Sequence, residues 1–268
     1  MCPPNHYGIE YEINPWMNTK RQADHTVAMA QWHLLHDKLQ QAGARVSLLQ
    51  PVKGLPDLVF TANAALIYRG QAVVARFKHP QRQGEEPHFR RWLASTGYTV
   101  LDSPQETSFE GSGDALFCDD TLYAGYRMRS DAKAMQAIGA LLGVRVLPLE
   151  LVRSEYYHVD TCFCPLAFDE AIYYPAAFDE YARTVLQEHI PKLIAVRPDE
   201  AARFACNAVV IGQQVITNTG CDQLHTELVK RGYRPHATPL DEFVKAGGSA
   251  KCLTLRLDGE EAAAWKHA

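Results

Sequence analysis

The sequence contains no apolar run near the ~20 residues that cross a bilayer. It also has no excess of positive charge: 27 Lys and Arg stand against 31 Asp and Glu, a formal net charge of −4. The first absence argues against a helical membrane span. The second removes the basic field that would draw nucleic acid or an anionic membrane, so neither is expected as a partner. The N-terminal Met-Cys-Pro-Pro-Asn-His has neither the basic nor the apolar region of a signal peptide. Seven cysteines, at 2, 118, 162, 164, 206, 221 and 252, are odd in number and scattered. That pattern suggests reduced thiols in a cytoplasmic setting, not a disulfide framework. The 268 residues, 47% hydrophobic and 22% charged, suffice for a substantial core.

One order of elements recurs along the chain. Residues 24–42 place apolar side chains at helical spacing and meet Gly43, which stops the helix. A short strand R-V-S-L-L follows, then V-F-T-A-N-A-A-L-I-Y and Q-A-V-V-A-R-F, joined at Arg69-Gly70. Helices over 85–96, 131–142, 179–188 and 222–231 each lead to a strand. The first three are followed by a strand pair and the last by K-C-L-T-L-R-L. The reading is a ββαβ-like unit repeated about five times in one domain, 1–268, its repeats closed around a central site.

Polar groups fall at matching points of these repeats: F-T-A-N (60–63), F-E-G-S-G-D (109–114), H-V-D-T (158–161) and A-K-C-L-T (250–254). Each sits at a strand edge or in a Gly-containing turn, where a small backbone lets side chains converge. A lone histidine beside a strand is usually structural, and a lone cysteine is usually a small hydrophobe. The weight lies in their equivalent placement. His158, Cys162 and Cys164 also raise zinc, but C-x-C with no second ligand pair is a poor structural-zinc pattern, and no metal is expected.

The motifs M-C-P-P-N-H-Y, I-N-P-W-M, P-D-L-V-F-T-A-N-A, R-Q-G-E-E-P, F-E-G-S-G-D-A-L, Y-H-V-D-T-C-F-C-P-L, F-A-C-N-A-V and G-G-S-A-K-C-L-T-L-R run through the whole chain. Together they resemble the guanidine-modifying, or pentein, superfamily of arginine deiminases, dimethylargininases and amidinotransferases. The arginine dihydrolase domain of cyanobacterial arginine-degrading enzymes is the nearest in likeness. Those enzymes carry a further domain acting on ornithine, and that second activity is not expected here. The resemblance implies a five-bladed α/β propeller of ββαβ repeats. It also implies a catalytic set of Cys252 as nucleophile, His158 as general acid/base and Glu110 as its carboxylate partner. Asp114 and Asp160 match the acidic positions that hold the guanidinium, although the family's E-G-G-D is here E-G-S-G-D. Arg82 and Arg129 match partners of the substrate carboxylate, with Arg127 a substitute for Arg129 and Asn14 in the same pocket. Asp57 fits either a site role or a turn.

The chemistry is consistent with that set. A guanidinium carbon is a poor electrophile, so attack needs a thiolate, and the departing amine needs a proton. Carboxylates hold a guanidinium through charge-assisted, bidentate hydrogen bonds, and no cofactor is required. Position 63 bears on the outcome. The deiminase-type F-T-R-D ends in aspartate, an acceptor only, whereas Asn63 both donates and accepts. It could hold a cationic guanidinium first and a neutral ureido group afterwards. The expectation is therefore hydrolysis of L-arginine to ornithine, carbon dioxide and two ammonia. Dimethylargininase and arginine deiminase are the alternatives, and an amidinotransferase lacks any mark of an acceptor amine site. An arginine-binding or partner-binding scaffold conflicts with retention of Cys252, His158 and Glu110. The sequence leaves open whether the protein is a homo-oligomer.

Overall fold

The computed structural model describes residues 1–259. Four three-stranded sheets follow one plan, and helix-forming sequence within each dictates it. In the first, β1 (Ala65–Tyr68) pairs antiparallel with β2 (Gln71–Val74), and β3 (Thr99–Asp102) lies parallel to β2. The two-residue hairpin uses left-handed backbone at Arg69 (φ 46°) and Gly70 (φ 77°), the geometry that matches strand twist. The helix Glu86–Ser95 makes the crossover to β3. The plan repeats with β4 (Ala115–Cys118), β5 (Thr121–Tyr126) and β6 (Arg145–Glu150), with β7 (Phe163–Ala167), β8 (Glu170–Tyr173) and β9 (Lys192–Ala195), and with β10 (Val209–Ile211), β11 (Gln214–Asn218) and β12 (Arg234–Thr238). Crossover helices span Ala132–Leu142, Glu180–His189 and Asp222–Lys230. The helix Ala132–Leu142 ends at Gly143 in left-handed backbone, and Asp179 caps the helix Glu180–His189 through the Ala182 N–H (2.8 Å).

The first and second strands are mostly buried and the third strands the most exposed, and β4 packs against β7. The first strands therefore face inward, toward one another, while the third strands lie to the outside. A further helix, His25–Gln41, capped by Asp24, packs on β12 and on the short helix Asp241–Val244. Its Trp32 and Leu35 bury in one apolar cluster with Phe60, Phe243 and Leu253.

Two expected strands differ. R-V-S-L-L forms no strand, although the Leu49 N–H bonds the Met1 carbonyl (2.9 Å). K-C-L-T-L-R-L does not extend either. Residues 249–254 coil into a helical turn, with Leu253 N–H to Ser249 O (3.2 Å) and Thr254 N–H to Lys251 O (2.9 Å). A buried side chain, Asn207, takes the N–H groups of Ser249 and Cys252 that a strand would need for its ladder. Cys252 thus sits in a turn, not at the head of a strand.

Candidate active site

A short 3-10 turn precedes each of the first three inner strands: Thr61–Ala64 before β1, Gly111–Gly113 before β4 and Val159–Thr161 before β7. The middle turn touches both of the others. They bring Asn63, Glu110 and His158 together from three sheets. Glycine makes the approach possible. A Cβ on Gly113 would lie 2.2 Å from Asn63 Nδ2, and one on Gly111, at φ 60°, would lie 2.8 Å from the Asn63 carbonyl.

His158 is 1% exposed and donates from Nε2 to Glu110 Oε2 (2.7 Å). Arg129 Nη1 donates to the same oxygen (3.0 Å). Burial works against a charge on Glu110, yet Arg129 and the His158 N–H hold its carboxyl well below the usual carboxylate range. Burial lowers His158 to about 4, against the pull of Glu110, so the imidazole is neutral near pH 7. With its proton on Nε2, Nδ1 is an acceptor facing Asn63 Nδ2 at 3.5 Å.

Cys252 is 3% exposed. Its sulfur receives a hydrogen bond from Asn207 Nδ2 (3.1 Å) and lies 3.5 Å from Asp160 Oδ2. Burial, then the neighbouring Asp160, push the thiol well above its usual range. The resting pair is therefore a neutral imidazole and a protonated thiol. A cation arriving beside the sulfur would favour the thiolate.

Cys252 opens onto a small cavity lined also by Asn14, Asp57, Asn63, Arg82, Arg129 and Tyr157, with Ile13, Met17, Phe60 and Ala246. Glu110, His158 and Asp160 stand just behind this wall. Arg82 is buried and forks onto Glu85, Nε to Oε1 (2.9 Å) and Nη2 to Oε2 (2.8 Å). Its Nη1 donates to Asn63 Oδ1 (2.9 Å), which turns the Asn63 amino group toward His158 and the Glu110 carbonyl. Arg129 also donates to the Ile13 carbonyl (3.0 Å) and stacks over the Tyr157 ring (4.5 Å). Asn14 Oδ1 caps the Trp16 N–H (2.9 Å), and its Nδ2 holds the Ala246 carbonyl (3.0 Å). Asp57 accepts from Tyr11 Oη (3.0 Å) through Oδ2. Its Oδ1 is buried with no hydrogen-bond partner among the described residues, and Asp57 lines the cavity, which suits a cation.

Asp114, expected to hold the guanidinium, accepts from Ser130 Oγ (2.6 Å) and the Val159 N–H (3.0 Å), and like Asp160 it stands behind the residues that line the cavity. The extra residue in E-G-S-G-D fits this inward position, which ties two turns together. Arg127 is exposed and pairs with Glu150, so it is no substitute for Arg129. Cys162 donates toward the His158 and Val159 carbonyls, and Cys164 toward those of Pro165 and Ala208. Sequence reasoning gave no role to Asn207 or Tyr157. The signal for Asn207 was present, because N-A-V-V-I repeats N-A-A-L-I at Asn63.

A family model described as N,N dimethylarginine dimethylhydrolase, eukaryotic, matches residues 8–258. The bifunctional arginine dihydrolase/ornithine cyclodeaminase ArgZ of Synechocystis is 45% identical over 262 residues, which are 96% of this chain but 37% of that protein. The chain thus spans little more than a third of the length of that relative. The N(G),N(G)-dimethylarginine dimethylaminohydrolase of Mycobacterium tuberculosis is 38% identical over 96% of this chain and 84% of its own. The substrate-bound crystal structure of the N-terminal domain of ArgZ, an arginine dihydrolase, superposes with a TM-score of 0.93 at 44% identity, covering 96% of each chain. The α/β fold is thereby shared with a solved relative, and with the matched model over 8–258 the chain belongs to the N,N-dimethylarginine dimethylhydrolase family.

Proposed function

We propose that the expected domain 1–268, whose residues 260–268 lie outside the described ones, is one catalytic unit, its described residues a five-bladed α/β propeller that hydrolyses the guanidine C–N bonds of L-arginine to ornithine, carbon dioxide and two ammonia. The fifth blade would come from the chain's two ends, the helix His25–Gln41 and the segments around 45–49 and 250–257. The observation that carries the activity is a buried thiol and an unpaired carboxylate oxygen, Asp57 Oδ1, on the wall of one cavity, backed by His158 on Glu110. That arrangement fits a cationic, planar substrate.

The bound guanidinium lowers the cost of ionising Cys252, whose sulfur attacks Cζ. The proton lost by the thiol passes by way of Asp160 to His158, and the imidazolium so formed protonates the departing nitrogen as ammonia; the neutral imidazole then takes a proton from water, whose oxygen displaces the sulfur from carbon. Glu110 stabilises the imidazolium formed in between. Asp160 and Asp57 orient the cation, while Arg82, Arg129 and Asn14 form the polar wall toward the amino-acid end. A second hydrolysis consumes a second water and releases the second ammonia, carbon dioxide and ornithine. Asn63, donor and acceptor at once, is the residue that admits the neutral ureido group of that second step.

Incubation with L-arginine tests the reading. Ornithine with two ammonia per arginine is expected, with loss of turnover in Cys252→Ser. Citrulline with one ammonia would make the protein a deiminase. The matched family model and the mycobacterial relative favour one further substrate class, methylated arginines. Turnover of those alone would replace arginine as the substrate.

A further inference from the structure

The geometry points to Asn207 as the positioning residue of the nucleophile: its amide fixes the turn that carries Cys252 and donates a hydrogen bond that favours thiolate over thiol. The inference rests on Cys252 being the nucleophile. Asn207 is fully buried, just before β10, where an amide must find partners for all its polar groups. It finds four. Oδ1 accepts the N–H groups of Ser249 (3.1 Å) and Cys252 (3.0 Å). Nδ2 donates to the Asp160 carbonyl (3.0 Å) and to Cys252 Sγ (3.1 Å).

These partners leave the amide no choice of orientation. Backbone N–H groups can only donate and a carbonyl can only accept, so oxygen faces the turn and nitrogen faces Asp160 and the sulfur. One side chain thus sets the height of the turn and delivers a hydrogen to the reacting atom. Its place is equivalent to that of Asn63: the Asn63 N–H bonds the Phe60 carbonyl and the Asn207 N–H bonds the Phe204 carbonyl, each three residues back. Two asparagines at matching points of two repeats therefore attend the two catalytic groups, Asn63 at His158 and Asn207 at Cys252.

A thiolate accepts a hydrogen bond more strongly than a thiol does, so a fixed donor at 3.1 Å shifts the balance toward the ion. It opposes burial and the Asp160 carboxyl, which favour the thiol. The other charged or titratable groups on this cavity are Tyr157, Asp57, Arg82 and Arg129. A proton leaving Sγ has Asp160 Oδ2 at 3.5 Å to accept it.

The test is the pH profile of Cys252 alkylation by iodoacetamide, read on the Cys252 peptide by mass, in wild type, Asn207→Asp and Asn207→Ser. Asn207→Asp keeps the oxygen that accepts from the turn and loses the donor. Its profile should move up by about one unit, so that alkylation at pH 8 slows roughly tenfold. Arginine affinity, measured in a Cys252→Ser background, should stay within a few-fold. A wild-type profile in a folded variant overturns the proposal. Failure of both variants to fold assigns the amide to the turn alone and overturns it as well. Alkylation does not require turnover, so a shifted profile in a protein inert to arginine would sink the proposed function and leave Asn207 its role.

Discussion

Asn63 is held by its neighbours more tightly than a lone amide would be. Arg82 takes its oxygen, so the amino group faces His158 and the Glu110 carbonyl. An aspartate in that place would present an oxygen to the Glu110 carbonyl and to His158 Nδ1, both acceptors while the imidazole is neutral. It would then favour a proton on Nδ1 or a cation in the cavity. Asn63→Asp should therefore stop at citrulline, with ornithine falling at least tenfold relative to citrulline when both are quantified from L-arginine. Ornithine as the main product of that variant would remove Asn63 from the second hydrolysis. Arg82 differs from its expected role in emphasis. It lines the cavity, but its strongest bonds go to Glu85 and Asn63, so part of its work is to aim the amide.

At the scale of elements, the turn before each inner strand is the functional unit. An N–H bonds a carbonyl three residues back at Asn63, Thr161 and Asn207 alike, which makes Phe60, His158 and Phe204 equivalent in turn. One backbone device therefore presents either an apolar wall or a polar group of the candidate site, according to residue type. The turns fit only because glycine lies between them. Gly113→Ala would push a methyl into Asn63 Nδ2 and against His158 Cγ. Overpacking of this kind costs about 1–3 kcal/mol. The variant should lose a few degrees in Tm and at least tenfold in kcat as the amide is displaced. A kcat near wild type would show that the amide's position is not critical.

Across the whole molecule, the candidate site joins residues more than 190 positions apart, so the proposed activity and global folding are linked. His158 stays neutral in the folded protein down to about pH 4, whereas the unfolded chain takes up its proton near 6.5. Between those values the unfolded state binds more protons, so stability falls as pH is lowered through that window. The loss reaches roughly 2 kcal/mol by pH 5. Urea midpoints at pH 7 and pH 5 should therefore separate more in wild type than in His158→Asn, which isolates this group from the other buried carboxyls. Equal separations would show that His158 is protonated in the folded state.

The sequence by itself determined the repeat order, the five long helices to within a residue or two, and the residue types gathered around Cys252. Helical periodicity, Gly and Asp caps and two-residue hairpins are local signals, legible wherever neighbours in the chain decide the outcome. Only the tertiary structure decided that Cys252 lies in a coiled turn instead of a strand, because the competing acceptor, Asn207, is 45 residues away. The same reason placed Asp114 inward on Ser130 and Val159, left Asp57 with an unpaired oxygen on the cavity, and excluded Arg127. In each case the deciding partner is a hydrogen-bonding group brought in from another element, and spacing along the chain carries no record of which such groups will meet.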